Sequence, residues 1–335
     1  MNNLFFNCDW GTSRFRLRLV DAESRKVLHE VRTDEGVSCL AAGDREVRAA
    51  RFQQVLAEHV AEVGAVVDAD VSRAPILVSG MASSTMGWRD LPYARLPFSL
   101  DGAGASRAVL DVRDARLTQP VVLFSGVRSD RDVMRGEETE LMGLRVAAAH
   151  WFEQPEDVWV ILPGTHSKHV RICGGTMTEF HTHMTGELYQ LLSQQSSLRH
   201  PDRASVTAEL LSSELPQWKE AFLSGVDLAC AGSLSGQLFQ VRTGQVLRGD
   251  SAVQSAAFLS GILIGDELRS LTLDRCPDGR IVLAAGGELS ASYQLACEQL
   301  GISDRVAVIP PAEVALLSAW GQWTAWQALK VKGSC

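Results

Sequence analysis

Two stretches of this sequence repeat one pattern. "FFNCDWGTSRFRLRLV" (Phe5 to Val20) and "VWVILPGTHSKHVRIC" (Val158 to Cys173) each read as an apolar run, a Gly-Thr bend and a second run. Gly11 and Gly164 lie 153 residues apart, nearly half of the 335-residue chain. Self-similarity at that spacing constrains the fold to two halves of one design rather than a single enlarged core. The length also allows two domains, each with a core of its own.

The flanking pattern gives the class. Phe15, Leu17 and Leu19 alternate with Arg16 and Arg18, the period of a half-buried strand, and a charged turn leads on to "VLHEVRT", so the opening predicts an antiparallel meander. A helix is expected over 46–64, with Phe52, Val55, Leu56, Val60 and Val63 on one face. "APILVSGM" and "PVVLFSGV" read as buried parallel strands, before a helix from Glu137 to about Trp151. The second half repeats the meander through Gly174-Gly175. It then predicts helices from about Gly186, through a polar region to about Leu247, and over 251–271, followed by the strand "RIVLAA" and a last helix after "PPAE". The expectation is an α/β protein with domains 1–154 and 155–335, the last helix being a candidate to pack back on the first.

A Gly-Thr-Ser bend turns several backbone N–H groups toward one point and adds hydroxyls, which suits phosphate oxygens. Gly11 and Gly164 let the backbone approach an anion closely. The halves differ two positions before the glycine, where the first carries Asp9 and the second Leu162, so one metal site is expected, not two. A lone carboxylate beside a phosphate loop suits Mg²⁺, which keeps most of its waters. The other reading of either bend alone is an ordinary hairpin turn, and it is the duplication that favours phosphate. A third glycine pair, Gly286-Gly287 in "LAAGGELS", follows a buried strand and opens a helix, where backbone amides and the helix dipole favour an anion or a nucleotide's ribose and base edge, the other reading being a tight strand-to-helix turn.

Composition narrows the partners. A net charge of −8 repels polyphosphate backbones and argues against nucleic acid. Apolar runs such as "FLSGILIG" fall far short of the roughly 20 residues that span a bilayer. Seven scattered cysteines without a C-x-x-C point to neither a disulfide framework nor a zinc knuckle, and a cytoplasmic location fits. The sequence leaves a homodimer open.

Together these elements resemble the actin-like ATPase and sugar-kinase superfamily, with two ribonuclease H-like domains and a nucleotide cleft between them. Within it, "DWGTS", "SGM" followed by "GW", "RGEETELMG", "PGTHSKHV", "HMTGEL" and "GILIGDEL" are similar, in order and spacing, to the 2-dehydro-3-deoxygalactonokinase family over nearly the whole chain. The resemblance implies transfer of a phosphoryl group from ATP, with Mg²⁺, to the terminal hydroxyl of 2-dehydro-3-deoxy-D-galactonate in galactonate breakdown. One departure is Thr85, in "SSTMGW", where many relatives carry Arg.

In-line phosphoryl transfer needs positioning, charge neutralisation and a proton acceptor. Asp9 is assigned to Mg²⁺. Gly11, Thr12, Ser13, Gly164, Thr165, His166 and Ser167 are assigned to the phosphates, and Gly286 and Gly287 to the nucleoside. Lys168 either meets transition-state charge or is a solvated strand residue. Glu137 and Glu138 open a helix, where acidic residues also simply complement the macrodipole. A similar "GEE" in exopolyphosphatases favours Glu138 as base, with Asp130 and Asp132 in reserve. For the sugar acid, Gly80, Met81, Ser84 and Trp88, with Thr185 and Glu187, are the expected walls, and Arg16 or Arg89 the carboxylate partner. His166, His181 and His183 read as incidental rather than as a metal cluster. Two rival readings are a polyphosphate or nucleotide phosphohydrolase and a nucleotide-switched assembly protein, since one scaffold hosts all three.

Overall fold

A computed structural model describes residues 3–152, 157–202, 215–274 and 279–332. The chain forms two compact units, one of residues 1–155, 173–179 and 315–335 and the other of 156–172 and 180–314. The expected boundary at 154/155 lies outside the described residues.

The first unit is built on a sheet in the order Lys26–Thr33, Phe15–Asp21, Leu4–Trp10, Ile76–Gly80, Val121–Phe124, Arg107–Leu110. The first three strands are the antiparallel meander, and Leu4–Trp10, Ile76–Gly80 and Val121–Phe124 run parallel. Parallel strands are buried on both faces, and Ile76–Gly80 and Val121–Phe124 accordingly have no exposed residue. The edge strand Arg107–Leu110 is antiparallel, and its apolar run is only Ala108-Val109-Leu110, too short for the sequence to announce it.

Helix Arg45–Val66 covers one face of this sheet. Asp44 caps it, its carboxylate accepting from the N–H groups of Glu46 (3.0 Å) and Val47 (2.9 Å). Phe52, Val55, Leu56, Val60 and Val63 are buried, as their spacing predicts. Trp10 packs on Phe52, with ring centroids 4.7 Å apart, so a ring from the strand that carries Asp9 is locked into the helix face.

Helices Glu137–Ala147 and Leu317–Lys332 pack against each other within the same unit. Their approach depends on two glycines. A Cβ on Gly321 would stand 1.7 Å from the Thr139 carbonyl oxygen, and one on Gly143 would stand 1.9 Å from that of Leu317. Helix Leu317–Lys332 is tied to the strands by Gln322, whose amide accepts from Asn7 Nδ2 (2.8 Å) and donates to the Cys8 carbonyl (3.0 Å) and Ser79 Oγ (2.8 Å). Gly321→Ala is therefore expected to overpack backbone against backbone, costing about 1–3 kcal/mol and a few degrees in Tm. Scanning calorimetry checks this, and an unchanged midpoint would contradict the packing.

The second unit repeats the plan. Its sheet runs Val306–Val308, Arg280–Leu283, Val158–Leu162, then the strands Ser167–Cys173 and Thr176–His183 through their residues 167–172 and 180–183 that belong to this unit, so it follows the first unit's order from the parallel side to the end of the meander. Val158–Leu162 is antiparallel to Ser167–Cys173 and parallel to Arg280–Leu283, matching the arrangement around Leu4–Trp10. Helices Pro216–Ala229 and Ala252–Asp274 pack together, with Trp218, Phe222, Val226, Ile264 and Leu268 in a core beside the sheet. Among the described residues, no helix is long and apolar enough to cross a membrane.

Candidate active site

In the first unit, Asp9 is the last residue but one of the central strand, opposite Arg16 on one side and Ser79 on the other. The bend after it is closed by Gly11 N–H donating to the Arg14 carbonyl (2.9 Å). The carbonyls of Gly11 and Thr12 accept from the N–H groups of Val37 (3.0 Å) and Ser38 (2.9 Å), which fixes one side of the bend, while Thr12 and Ser13 stay exposed. Asp9, Gly11, Arg14, Arg16 and Arg32 line a cavity of about 280 Å³. Arg16 Nη1 lies 4.0 Å from Asp9 Oδ2, and the aspartate side chain is 38% exposed. Its pKa is raised, chiefly by burial of the strand end; Arg16 and Arg18 oppose the rise and the charge of Glu137 adds to it.

Gly80 and Gly136 bring the acidic helix to this strand end. Gly80 has φ 89, a conformation that glycine alone adopts without strain, and a Cβ there would lie 2.7 Å from the Trp10 carbonyl oxygen and 3.5 Å from Asp9 Oδ1. A Cβ on Gly136 would lie 3.6 Å from Gly80 Cα. Helix Glu137–Ala147 starts here. Glu137 Oε2 accepts from Arg135 N–H (3.0 Å), and Glu138 Oε2 from Gly136 N–H (2.7 Å). Glu138 is 1% exposed, and its Oε1 has no hydrogen-bond partner among the described residues. Burial, with repulsion from Glu137, pushes its pKa up to about 8. A buried acceptor without a partner costs about 1–3 kcal/mol, and such groups concentrate at functional sites.

Arg135, which precedes Gly136-Glu137-Glu138 in the chain, joins the site through contacts that its local pattern does not reveal. Its Nη1 donates to the carbonyl and, at 2.6 Å, to the hydroxyl of Ser83, and at 3.1 Å to Ser125 Oγ, while its guanidinium lies over the Tyr93 ring. It thus ties the start of the acidic helix to the 81–84 turn.

The expected acceptor walls are partly dispersed. Gly80 stands beside Asp9, and Met81 follows it. Ser84 turns back, its hydroxyl donating to the Met81 carbonyl (2.7 Å). Trp88 is a core residue, 5% exposed and packed near Trp10 and Phe52, because its indole fills the layer under helix Arg45–Val66. Arg89 lines a different cavity, with Arg45, Gln53 and Arg113, so only Arg16 of the two candidate arginines shares a cavity with Asp9. Asp130, ion-paired with Arg128, and Asp132 line a further cavity that lacks both Asp9 and the acidic helix.

In the second unit, the bend at Gly164 leaves Thr165 and His166 exposed, and a Cβ on Gly164 would meet nothing within 4 Å among the described residues. Leu162, the counterpart of Asp9, is buried. Glu187 N–H donates to the Thr165 carbonyl (3.0 Å), and the Glu187 carboxylate pairs with His166. Lys168 is not solvated. It is 3% exposed and donates to the His166 carbonyl (2.8 Å), because its strand is buried along this edge. Ser167 also points inward, donating to Glu267 Oε1 (2.6 Å), so its hydroxyl does not face the bend. Gly164, Thr185, Gly186, Trp218, Ile264 and Tyr293 help line an apolar cavity of about 250 Å³. Thr185, expected at the acceptor wall, thus shares its cavity with the Gly164 bend. Gly286 precedes helix Gly287–Gln299, which supplies Tyr293, and a Cβ on either glycine would meet open space. Among the described residues, no group of three His, Cys, Asp or Glu side chains is arranged to hold a metal ion.

Residues 9–319 match the model of a family described as 2-keto-3-deoxy-galactonokinase. The chain is 36% identical over 315 residues to "Probable 2-dehydro-3-deoxygalactonokinase DgoK1" of Rhizobium meliloti (strain 1021), spanning 93% of this chain and 94% of the relative. It is 30% identical over 306 residues to the 2-dehydro-3-deoxygalactonokinase of Escherichia coli (strain K12), spanning 90% and 91%. A crystal structure of a protein assigned as a 2-dehydro-3-deoxygalactonokinase from Sinorhizobium meliloti superposes with a TM-score of 0.76 at 30% identity, covering 97% of this chain and 99% of that one. The fold is the mixed α/β fold of the actin-like ATPases and sugar kinases that the sequence implied.

Proposed function

This chain belongs to the 2-keto-3-deoxy-galactonokinase family, and from that membership we propose how its residues phosphorylate 2-dehydro-3-deoxy-D-galactonate at its terminal hydroxyl with ATP. The phosphohydrolase and assembly readings are not favoured by these relatives. The observation that carries the catalytic part is Glu138: a buried carboxylate with one oxygen unpartnered and a pKa of about 8, on the helix that reaches the Asp9 strand end.

In this reading Glu138 Oε1 accepts the proton of the sugar-acid hydroxyl as the hydroxyl oxygen bonds to the γ-phosphorus. The bond from that phosphorus to the β,γ-bridging oxygen breaks, its electron pair leaves with ADP, and the proton rests on Glu138. Thr12 and Ser13 offer hydroxyls to phosphate in the first unit, as do Gly164 and Thr165 their backbone in the second. The apolar cavity with Trp218 and Tyr293 takes the adenosine, with Gly286 and Gly287 at its helix start. The Lys168 ammonium and His166 stand behind the second bend.

Asp9 fits Mg²⁺. Its carboxylate is partly exposed and its charge is crowded by Glu137, an oxygen-rich spot that a hydrated divalent cation would relieve. Bound there, the cation would neutralise charge on the phosphates. The partners in this reading are small molecules alone, and a reduced cytoplasm suits the unbridged thiols of Cys8, Cys39, Cys230 and Cys297.

Arg16 is the arginine placed to hold the substrate carboxylate. Arg16→Ala is expected to raise the KM of the sugar acid by about 30-fold or more, the worth of a charge-assisted pair, and to leave the KM of ATP nearly unchanged. Arg89→Ala is expected to change neither. Equal effects of the two substitutions would overturn the Arg16 assignment. The function itself is tested by ADP release across a panel of sugar acids against a control without acceptor, in which 2-dehydro-3-deoxygalactonate is expected to give the highest kcat/KM.

A further inference from the structure

The segment "GILIGDEL" has so far taken no part in the chemistry. Its Glu267, on helix Ala252–Asp274, is 2% exposed. Oε1 accepts from Ser167 Oγ (2.6 Å) and His169 Nε2 (2.8 Å), and Oε2 from Thr185 Oγ1 and from Tyr293 Oη (2.8 Å). One carboxylate thus takes four donors from three other elements. Ser167 and His169 lie on one face of the strand that leaves the Gly164-Thr165 bend. Thr185 begins helix Thr185–Gln195, whose Gly186 has no room for a Cβ beside the Gly164 carbonyl, at 2.5 Å. Tyr293 belongs to the helix that Gly286 and Gly287 open.

Burial pushes the Glu267 pKa up, but the hydrogen bond and charge of His169, with the hydroxyls of Ser167 and Thr185, outweigh it, and the net direction is down. The group is therefore an ionised carboxylate inside the second unit. Buried ionic groups are weak sources of stability, because apolar packing of the same volume often does as well. An apolar side chain, however, cannot hold four separate donors at fixed distances from one point. Thr185 and Tyr293 both line the 250 Å³ cavity, and Gly164 lies at its edge, so the geometry fixed by Glu267 is that of the cavity wall.

We propose that Glu267 is a positioning residue for ATP: by gathering Ser167, His169, Thr185 and Tyr293 on one carboxylate it sets the second phosphate bend at a fixed place relative to the nucleoside wall. The proposal rests on the reading of this cavity as the nucleotide site. It locates control of nucleotide affinity in a residue that ATP does not touch.

The test is calorimetric titration of ADP into wild type and Glu267→Gln, with KM for ATP and for the sugar acid measured well below the unfolding midpoint. The carboxamide replaces one acceptor oxygen by a donor that faces hydroxyl donors. The expected result is a rise of about tenfold or more in the Kd of ADP and the KM of ATP, with the KM of the sugar acid unchanged. A purely structural role would lower the unfolding midpoint without separating the two KM values. Ser167→Ala provides the milder variant if Glu267→Gln does not fold. Its hydroxyl is buried on Glu267, so a rise of severalfold in the KM of ATP alone must pass through that carboxylate. A folded variant that binds ADP as wild type does, or that shifts both KM values together, overturns the proposal and leaves the kinase reading intact. Wild type that binds no ADP overturns both.

Discussion

Glu138→Gln is expected to lower kcat by about 10²–10⁴-fold, the usual contribution of a positioned proton acceptor. The carboxamide keeps an oxygen for the Gly136 N–H and nearly the same volume, so the loss would report the missing base and not a collapsed helix start. Wild-type kcat/KM should rise with pH and level off above about 8, where burial and Glu137 have set this carboxyl, and the variant should lack that limb. Stability should move the other way. A carboxyl whose folded pKa lies above its unfolded value favours the folded state fully at pH below the unfolded pKa, near 4.5, and that contribution is lost as pH rises through about 8. At pH 9 the glutamine variant should therefore unfold at a higher temperature than wild type. A variant with wild-type turnover at pH 8 would remove Glu138 from the chemistry and return attention to Glu137.

Asp9→Asn is expected to cost about 10²-fold or more in turnover, since it removes the carboxylate proposed to hold Mg²⁺ beside the first bend while preserving its shape. The fold should survive, because Asp9 lies near the end of its strand with its side chain partly exposed, and the strand is held by Asn7, Trp10 and the meander beyond it. Excess Mg²⁺ should not restore the rate. Turnover above about a tenth of wild type at saturating Mg²⁺ would sink the assignment. The second unit supplies an internal control. Leu162 holds the equivalent position and is buried, so a carboxylate there would have no comparable opening.

What could be read from the sequence was what local pattern and duplication specify. Alternation around Phe15–Leu19 gave the meander, apolar runs gave the parallel strands, and the two Gly-Thr bends stand at equivalent places in two sheets of matching order. What could not be read depends on partners remote in the chain. Trp88 was expected at the acceptor wall, but its environment is made by Trp10 and Phe52, and a large indole follows the available apolar volume. Ser167 and Thr185 were assigned by closeness to their motifs. Their hydroxyls instead go to a carboxylate 100 and 82 residues away. Lys168 left two readings open because an alternating strand does not reveal which face is covered. The strands Arg107–Leu110 and Val306–Val308 are short edges, held mainly by their neighbours' hydrogen bonds.

Gln322 gives the first unit an unusual assembly history. It joins Asn7, Cys8 and Ser79, so its bonds close loops of 315, 314 and 243 residues, and the helix that carries it backs the one bearing Glu138 through Gly321. On a ribosome, domains generally fold as they emerge, beginning from the N-terminus. This unit cannot finish that way. Its sheet can form early, but the wall behind Glu138 arrives only after the whole second unit has been synthesised. Until then the buried face of the acidic helix waits uncovered, and loop closure over such separations is slow. A nascent chain would carry the second unit's elements before the setting of Glu138, the proposed base, was complete, so activity should be the last property the protein acquires.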